Sequence, residues 1–389
     1  MRRKYNYTAP LLLKFPDYIY RGDVLKEIKI ARPFITDEDI EAVANILRSG
    51  YLTHGRVVEE FENKFAERHN CKYGIAVSNG TIALEIALRC LGVGFGDEVI
   101  VPVFTFAATA NSALTLGARP VFCDIDPETF NIDIKCVEDR INKRTRVIIP
   151  VHLFGHPADM DPIIKIARDY DIYVLEDAAQ AHGAKYKGKP VGCLGDIGIF
   201  SLYATKNITS GEGGIILTND SQRRDFMKIF RDQGQTAKYF HEFLGGNYRM
   251  TSIQGALALR QLERLDYINE IRRRNAKLLN EKLSKIDWIK IPVEKEWAYH
   301  VYHQYVILLK DDAPVTRDEL MNYLRKHGVE TAVHYPRPLN DQPLYRKLGY
   351  DEDCCPIARD VSKRILSLPV HPLISENDID YIVEILSKI

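Results

Sequence analysis

Lys206 stands in the stretch SLYATKNITSGEGG, between a short apolar strand and a cluster of glycines that includes Gly211, Gly213 and Gly214. A lysine becomes an imine-forming nucleophile where burial or a neighbouring cation lowers its pKa. Two other stretches carry groups that such a nucleophile would work with. In YGIAVSNGTIALEIAL a strand runs through Ser78, Asn79, Gly80 and Thr81 straight into a helix. That junction aims free backbone N–H groups and hydroxyls at one point, which suits a phosphate or carboxylate. In DIYVLEDAAQAHGA the acidic pair Glu176 and Asp177 closes an apolar strand. Open α/β sheets bind ligands at that end, and a carboxylate there can pair with a cationic ring nitrogen. Gln180 follows as a donor to an oxygen of the same ligand, and His182 as a further polar contact.

Each stretch alone has a plain structural account: a solvated lysine, a hydroxyl-capped turn, an ordinary helix N-cap. Jointly they stand in the order that pyridoxal phosphate requires, namely a phosphate grip, a partner for the pyridinium nitrogen and a Schiff-base lysine. Ser201, ending the strand IGIFS, is a second candidate phosphate ligand, and Phe104 and Phe106 in VPVFTFAAT could stack on the ring, with one of the two expected in the core. Other suggestive patterns fail on context. GVGFGD has its glycines after a helix and before a strand, the reverse of a dinucleotide fingerprint. GAKYKGKP ends in Pro190 where a phosphate loop needs Ser or Thr, and HLFGH lacks the helix and the glutamate of a zinc motif. These read as a helix-to-strand turn, an exposed turn, and strand-end histidines.

The elements that must position these residues alternate regularly. YGIAV, DEVIVP, ARPVFCDI, TRVIIPVHL, DIYVLED, IGIFSL and GGIILTND are strand-like and mostly separated by helical or turn-bearing segments. Several are apolar on both faces, which predicts an α/β protein with a parallel or mixed sheet covered by helices on two sides. Before them, Thr36 caps a helix that shows Ile40, Val43, Ala44 and Leu47 on one face, with Asp39 completing a capping box. After them, residues 251–286 read as one connecting helix, followed by a smaller unit with the strand VYHQYVILL, the helix TRDELMNYLRKHG and the terminal helix SENDIDYIVEILSKI. At 389 residues, 46% hydrophobic and 27% charged, with Lys+Arg and Asp+Glu both 53, the composition is globular and sets up no net field for nucleic acid or a membrane surface. No apolar run approaches membrane-spanning length. The 7 cysteines are scattered, odd in number and unpaired in spacing, so reduced thiols in a cytoplasmic protein are expected.

In nine segments standing in order from about residue 28 to the C-terminus, among them SGYLTHG, VSNGTIAL, EDAAQAHGA, SLYATKNITSGEGG, GGNYRMTSIQGALAL and HYPRPLNDQP, the chain closely resembles the pyridoxal-phosphate-dependent sugar aminotransferases of the DegT/DnrJ/EryC1/StrS group. The resemblance implies a fold type I architecture, a mostly parallel sheet flanked by helices with a smaller C-terminal α+β domain. Residues 1–25, rich in Tyr and with two prolines, read as an N-terminal arm that the resemblance does not explain; a large cofactor-binding domain (26–270) and a smaller domain (271–389) follow. The resemblance implies Lys206 as the Schiff-base lysine, Asp177 as pyridinium partner, Gln180 on the ring hydroxyl, Gly80, Thr81 and Ser201 on the phosphate, and Phe104 as the stacking ring. Asn247 would reach the phosphate of a neighbouring subunit in a homodimer. Thr53, His182, Arg249, His334 and Tyr335 lie in segments that face the sugar. The implied reaction moves an amino group from an amino acid, by resemblance L-glutamate, to a nucleotide-linked keto-sugar, with pyridoxamine 5'-phosphate as the intermediate form of pyridoxal 5'-phosphate. One branch of the group has histidine in place of the lysine and dehydrates sugars; Lys206 puts this chain on the aminating side. The alternatives are another fold type I enzyme, such as a sugar dehydratase or amino-acid lyase, and a non-enzymatic regulator, against which the balanced charge argues.

Overall fold

The computed structural model describes residues 27–389; the expected N-terminal arm, residues 1–25, lies outside the described residues. All seven strand-like segments lie in one sheet: β1 (Tyr73–Val77), β2 (Glu98–Pro102), β3 (Arg119–Cys123), β4 (Thr145–Ile148), β5 (Tyr173–Asp177), β6 (Ile197–Ser201) and β7 (Gly214–Thr218). The order is β1-β7-β6-β5-β4-β2-β3. Pairing is parallel from β6 through to β3, and β7 runs antiparallel to both of its neighbours. Every residue of β2 and β7 is buried, as expected for strands covered on both faces. Because β7 reverses direction twice over, the carboxyl ends of β1, β2, β5 and β6 share one edge, where Asn79, Phe104, Asp177 and Ser201 emerge. The glycines of GVGFGD form the expected helix-to-strand turn ahead of β2, and GAKYKGKP is a tight hairpin turning at Lys187 and Gly188, both at positive φ.

A second sheet carries β8 (Ile289–Lys290), β9 (Tyr305–Leu309) and β10 (Ile365–Leu368) in the order β8-β9-β10. The stretch expected as one connecting helix is two, Ser252–Glu263 and Leu265–Leu283, broken at Arg264, whose φ of −105° and ψ of 6° leave the helical region. The second spans both cores: Leu265 and Ile268 pack under the large sheet, Ala276, Leu279 and Leu283 with the small one. The expected boundary at 270/271 falls inside that helix. Ile28 bridges to Val329 and packs in the small-sheet cluster.

The expected helix with Thr36 as N-cap and Asp39 completing the capping box is present, though anchored in a way its pattern did not show, and one expectation fails. In the helix Asp37–Ser49 only Asp39 is buried, accepting from Thr36 N (3.0 Å), Gln261 Nε2 (2.9 Å) and the Arg264 guanidinium, while Ile40 and Leu47 are exposed. The helix is therefore tied down by a carboxylate, not by its apolar stripe. The thiols are not all reduced: Cys71 and Cys193 form a disulfide with Cα atoms 5.9 Å apart, although 122 residues separate them. Spacing could not show this pair, because the fold brings it together by placing β1 two strands from β6.

The alternation of β5 separates the acidic pair. Glu176 turns away from the edge and is wholly buried, accepting from Gly192 N (2.7 Å), Leu194 N (2.6 Å) and Gly195 N (2.8 Å), with His152 Nε2 at 3.1 Å. It holds the loop before β6 in place. Glu176→Ala removes the acceptor of three backbone donors and should lower the unfolding free energy by about 3 kcal/mol or more in a urea titration. A loss under about 1 kcal/mol would show that these donors find other partners.

Candidate active site

Asp177 ends β5 on the edge face and is 4% exposed. Its Oδ2 accepts from Thr109 Oγ1 (2.8 Å) and its Oδ1 from Ala179 N (3.1 Å). Burial raises its pKa, and the two hydrogen bonds and the nearby Lys206 amine pull it back down. No ion pair satisfies it among the described residues. Thr109 escaped the sequence reading because nothing in VPVFTFAAT says that a threonine at the second position of the next helix points back at β5.

Lys206 follows β6 in a turn fixed by its own N–H on Tyr203 O (2.9 Å). Its amine has no hydrogen bond or ion pair among the described residues, and burial lowers its pKa to about 8, with Asp177 the opposing influence. The amine thus has the depressed pKa of a nucleophile, set mainly by desolvation. Three histidines surround it with pKa values lowered chiefly by burial: His182, His303 and His334, the last to about 4. All three are neutral near pH 7, so they leave the amine's charge to Asp177. His303, held by Asn207 Oδ1 at 3.2 Å, was not singled out in the sequence; it comes from the second sheet's side of the chain, beyond the reach of local patterns.

At the carboxyl end of β1, Asn79 caps the helix Gly80–Cys90 by accepting from Ile82 N (2.9 Å), which leaves the Gly80 and Thr81 N–H groups at its open end. A Cβ on Gly80 would meet Ser201 Cβ at 2.9 Å, and one on Gly214 would meet Asn79 O at 2.5 Å. Glycine at both places lets the helix terminus, Ser201 and β7 converge. Ser78 N donates to Tyr248 O (2.9 Å) and Val77 bridges to Arg249, so the Asn247–Met250 segment lies along the same edge.

Gln180 is buried with its orientation fixed: Oε1 accepts from Phe154 N (2.8 Å), which leaves Nε2 to donate to Tyr335 Oη at 3.1 Å. Tyr335 lies edge-on to Phe104 (5.9 Å between ring centres) and tilted on Phe106 (6.4 Å), and burial raises its pKa. His334 Nδ1 meets Ser367 Oγ at 2.9 Å.

Other expected residues are placed differently. Phe104 is wholly buried, and Phe106, two residues on, is 60% exposed. The ring free to stack is therefore Phe106, and Phe104 is the core member of the pair. His182 is wholly buried against Phe65 and Phe200, so it offers no surface to a substrate. Arg249 is paired with Asp232. Thr53 and Asn247 are exposed; the Thr53 carbonyl accepts from Ser252 N (3.2 Å), and neither residue hydrogen-bonds to Lys206, Asp177 or Ser201.

The sheet order and the edge on which these groups meet define an α/β protein of aminotransferase architecture. The DegT/DnrJ/EryC1/StrS aminotransferase family profile matches residues 33–387, and the chain belongs to that family. It is 38% identical to the GDP-perosamine synthase of Escherichia coli O157:H7, over 94% of this chain and 99% of that one. It is 42% identical to the pleiotropic regulatory protein of Geobacillus stearothermophilus, over 90% and 94%. Among solved structures, DesV of S. venezuelae in complex with a ketimine intermediate superposes with a TM-score of 0.87 at 34% identity, covering 90% of this chain and 94% of that one. The chain is accordingly an enzyme, an aminotransferase of this family.

Lys206 should be acylated by a small amine-directed reagent with a pH midpoint near 8, read by peptide mass, because its neutral fraction rises to a plateau above that pH. Asp177→Asn removes the charge that raises the pKa, so the midpoint should move down. A midpoint at the ordinary lysine value, or an upward shift, would contradict the placement of the two groups.

Proposed function

We propose that the chain binds pyridoxal 5'-phosphate at the edge of the large sheet and transfers the amino group of L-glutamate to a nucleotide-linked keto-sugar. The observation that carries this reading is the unpaired Lys206 amine beside a buried carboxylate that has no cation of its own.

The residues present fit the cofactor. The open helix end at Gly80 and Thr81, with Ser201, suits the phosphate, and a Cβ at Gly80 would fill that cradle. Asp177 suits the protonated ring nitrogen, the Nε2 of Gln180 the ring hydroxyl, and Phe106 the ring face. The bound group supplies an electron sink for the carbanion that forms at the carbon bearing the amino group.

The chain's own residues do the rest. Lys206 in its neutral form, half of the population at about pH 8, is the nucleophile that would hold the cofactor's carbonyl carbon. As a free amine it would take the proton from the α-carbon of the donor and return one at the acceptor carbon, as general base and then acid. Asp177 holds the ring nitrogen's proton, and Thr109 and the Ala179 N–H keep the carboxylate aimed. The buried Gln180–Tyr335 pair and the neutral His334 close the side toward the second sheet. Donor and acceptor use the same groups in turn, so kinetics should be ping-pong.

A second copy of the chain would complete the site in a homodimer. Asn247 is exposed as a residue reaching a neighbour must be, and Tyr51, Leu52, Phe106, Tyr203, Phe243 and Leu244 are exposed apolar side chains in the neighbouring segments. Thr53, Arg249, His334 and Tyr335 are the sugar-side candidates, Arg249 only after exchange of Asp232. A cytoplasmic site of action follows from the nucleotide-linked substrate.

With glutamate and a panel of 3- and 4-keto nucleotide sugars, mass spectrometry should show 2-oxoglutarate and an amino sugar in equal amounts. Lys206→Ala should lower kcat by 10³-fold or more, about 4 kcal/mol of barrier. Full turnover by that variant, or product from an amino acid without any keto-sugar, would overturn the reading.

A further inference from the structure

Four of the free thiols lie together, far along the sheet from Lys206. Cys123 ends β3, Cys136 sits on the helix Ile134–Arg140, and Cys354 and Cys355 precede the helix Pro356–Arg364. Asp124 fastens the group by accepting from Ile357 N and Ala358 N, both at 2.9 Å. Among the described residues no set of three such side chains is arranged to hold a metal ion, so the cluster is one of thiols.

Within it, Cys354 and Cys355 form a reactive couple. Their sulfurs are 3.3 Å apart. Cys354 is partly exposed and lines a cavity of about 460 Å³ together with Arg119, Arg140 and Arg144 and the carboxylates of Glu98, Asp139 and Asp351, whereas Cys355 is wholly buried behind it. Glu98 pairs with Arg144, which leaves Arg119 and Arg140 as the cavity's other cations. Asn340 Nδ2 donates to the Cys354 sulfur at 3.4 Å. These contacts, led by the Cys355 thiol and aided by Arg140, lower the Cys354 pKa to about 7, and the same couple pushes Cys355 up. An outer thiolate beside cations with a buried thiol against it is the arrangement of an attacking and a resolving cysteine.

We propose that Cys354 and Cys355 are a reversible oxidation site for a small anionic disulfide of the glutathione class entering this cavity. The Cys354 thiolate attacks one sulfur of the disulfide RSSR, forming a mixed disulfide and expelling RS⁻, which takes a proton from water. The Cys355 sulfur attacks the Cys354 sulfur, forming the Cys354–Cys355 bond, and its proton passes to the second RS⁻ as that group leaves as RSH. Two protein thiols lose two electrons and two protons, and RSSR becomes two RSH. Adjacent Cα atoms across a trans peptide are about 3.8 Å apart, below the usual disulfide range, so this bond is strained and readily reduced. The strain falls at the start of the helix Pro356–Arg364, which runs directly into β10, where Ser367 meets His334.

The test is to incubate the whole chain with glutathione disulfide and map it by non-reducing mass spectrometry. Wild type should gain a bond within the Cys354–Cys355 peptide that reduced glutathione reverses. Cys355→Ser should stop at a glutathione adduct on Cys354, and Cys354→Ser should give neither product. In wild type, alkylation at pH 7 should reach Cys354 on the order of a hundredfold faster than Cys90, whose thiol burial pushes up to about 12. A stable unresolved adduct on wild-type Cys354, a bond to Cys123 or Cys136 instead, or equal alkylation of Cys354 and Cys90 would overturn the proposal.

Discussion

Asp177 is a carboxylate buried at the end of a parallel strand with two hydrogen bonds and, among the described residues, no ion pair, and the edge of the sheet is organised around that imbalance. Burying a charge costs several kcal/mol, while a hydrogen bond to a charged group returns about 1.5–3 kcal/mol. Two such bonds leave the carboxylate short, which is why its pKa rises; in the proposed function a protonated ring nitrogen would supply the missing charge. Lys206 supplies part of the missing charge, and burial in turn makes it easy for that amine to give up its proton. Burial disfavours the charged form of both residues, each charge partly offsets the other's cost, and one ligand bearing a cation and an electrophilic carbon would relieve both.

The rest of the edge serves that pair. β7 runs against its neighbours, and its Gly214 passes close over Asn79, so the open helix end at Gly80 sits against Ser201. Glu176, one residue before Asp177, uses its charge on three backbone donors and fixes the loop leading to β6. Adjacent acidic residues thus divide the work, one structural and one facing the ligand, because a strand turns alternate side chains to opposite faces.

Much of this was legible in the sequence because it is local. The seven strands showed as apolar runs between turn signals, and the Asn79–Thr81 junction, Asp177 and Lys206 each sit at a strand end that periodicity locates. What was not legible depends on the third dimension. The Phe104 and Phe106 assignments exchanged because local pattern does not say which ring of an extended pair faces the core. His182 looked polar and accessible in EDAAQAHGA but is enclosed by Phe65 and Phe200 from other elements. Thr109, His303 and the Cys71–Cys193 bond reach across 68, 96 and 122 residues to partners that no window of sequence contains. The exposed stripe of the helix Asp37–Ser49 shows the converse: amphipathic spacing was present, but a buried carboxylate does the anchoring.

The central claim is that Lys206 and Asp177 form one site for pyridoxal 5'-phosphate. The most direct measurement is to bind pyridoxal 5'-phosphate to the purified chain, reduce with borohydride and locate the attached group by peptide mass. The account predicts a single covalent pyridoxyl group on Lys206, formed far more weakly in Asp177→Ala. Attachment to other lysines, or equal labelling of Lys206 with and without Asp177, would contradict it.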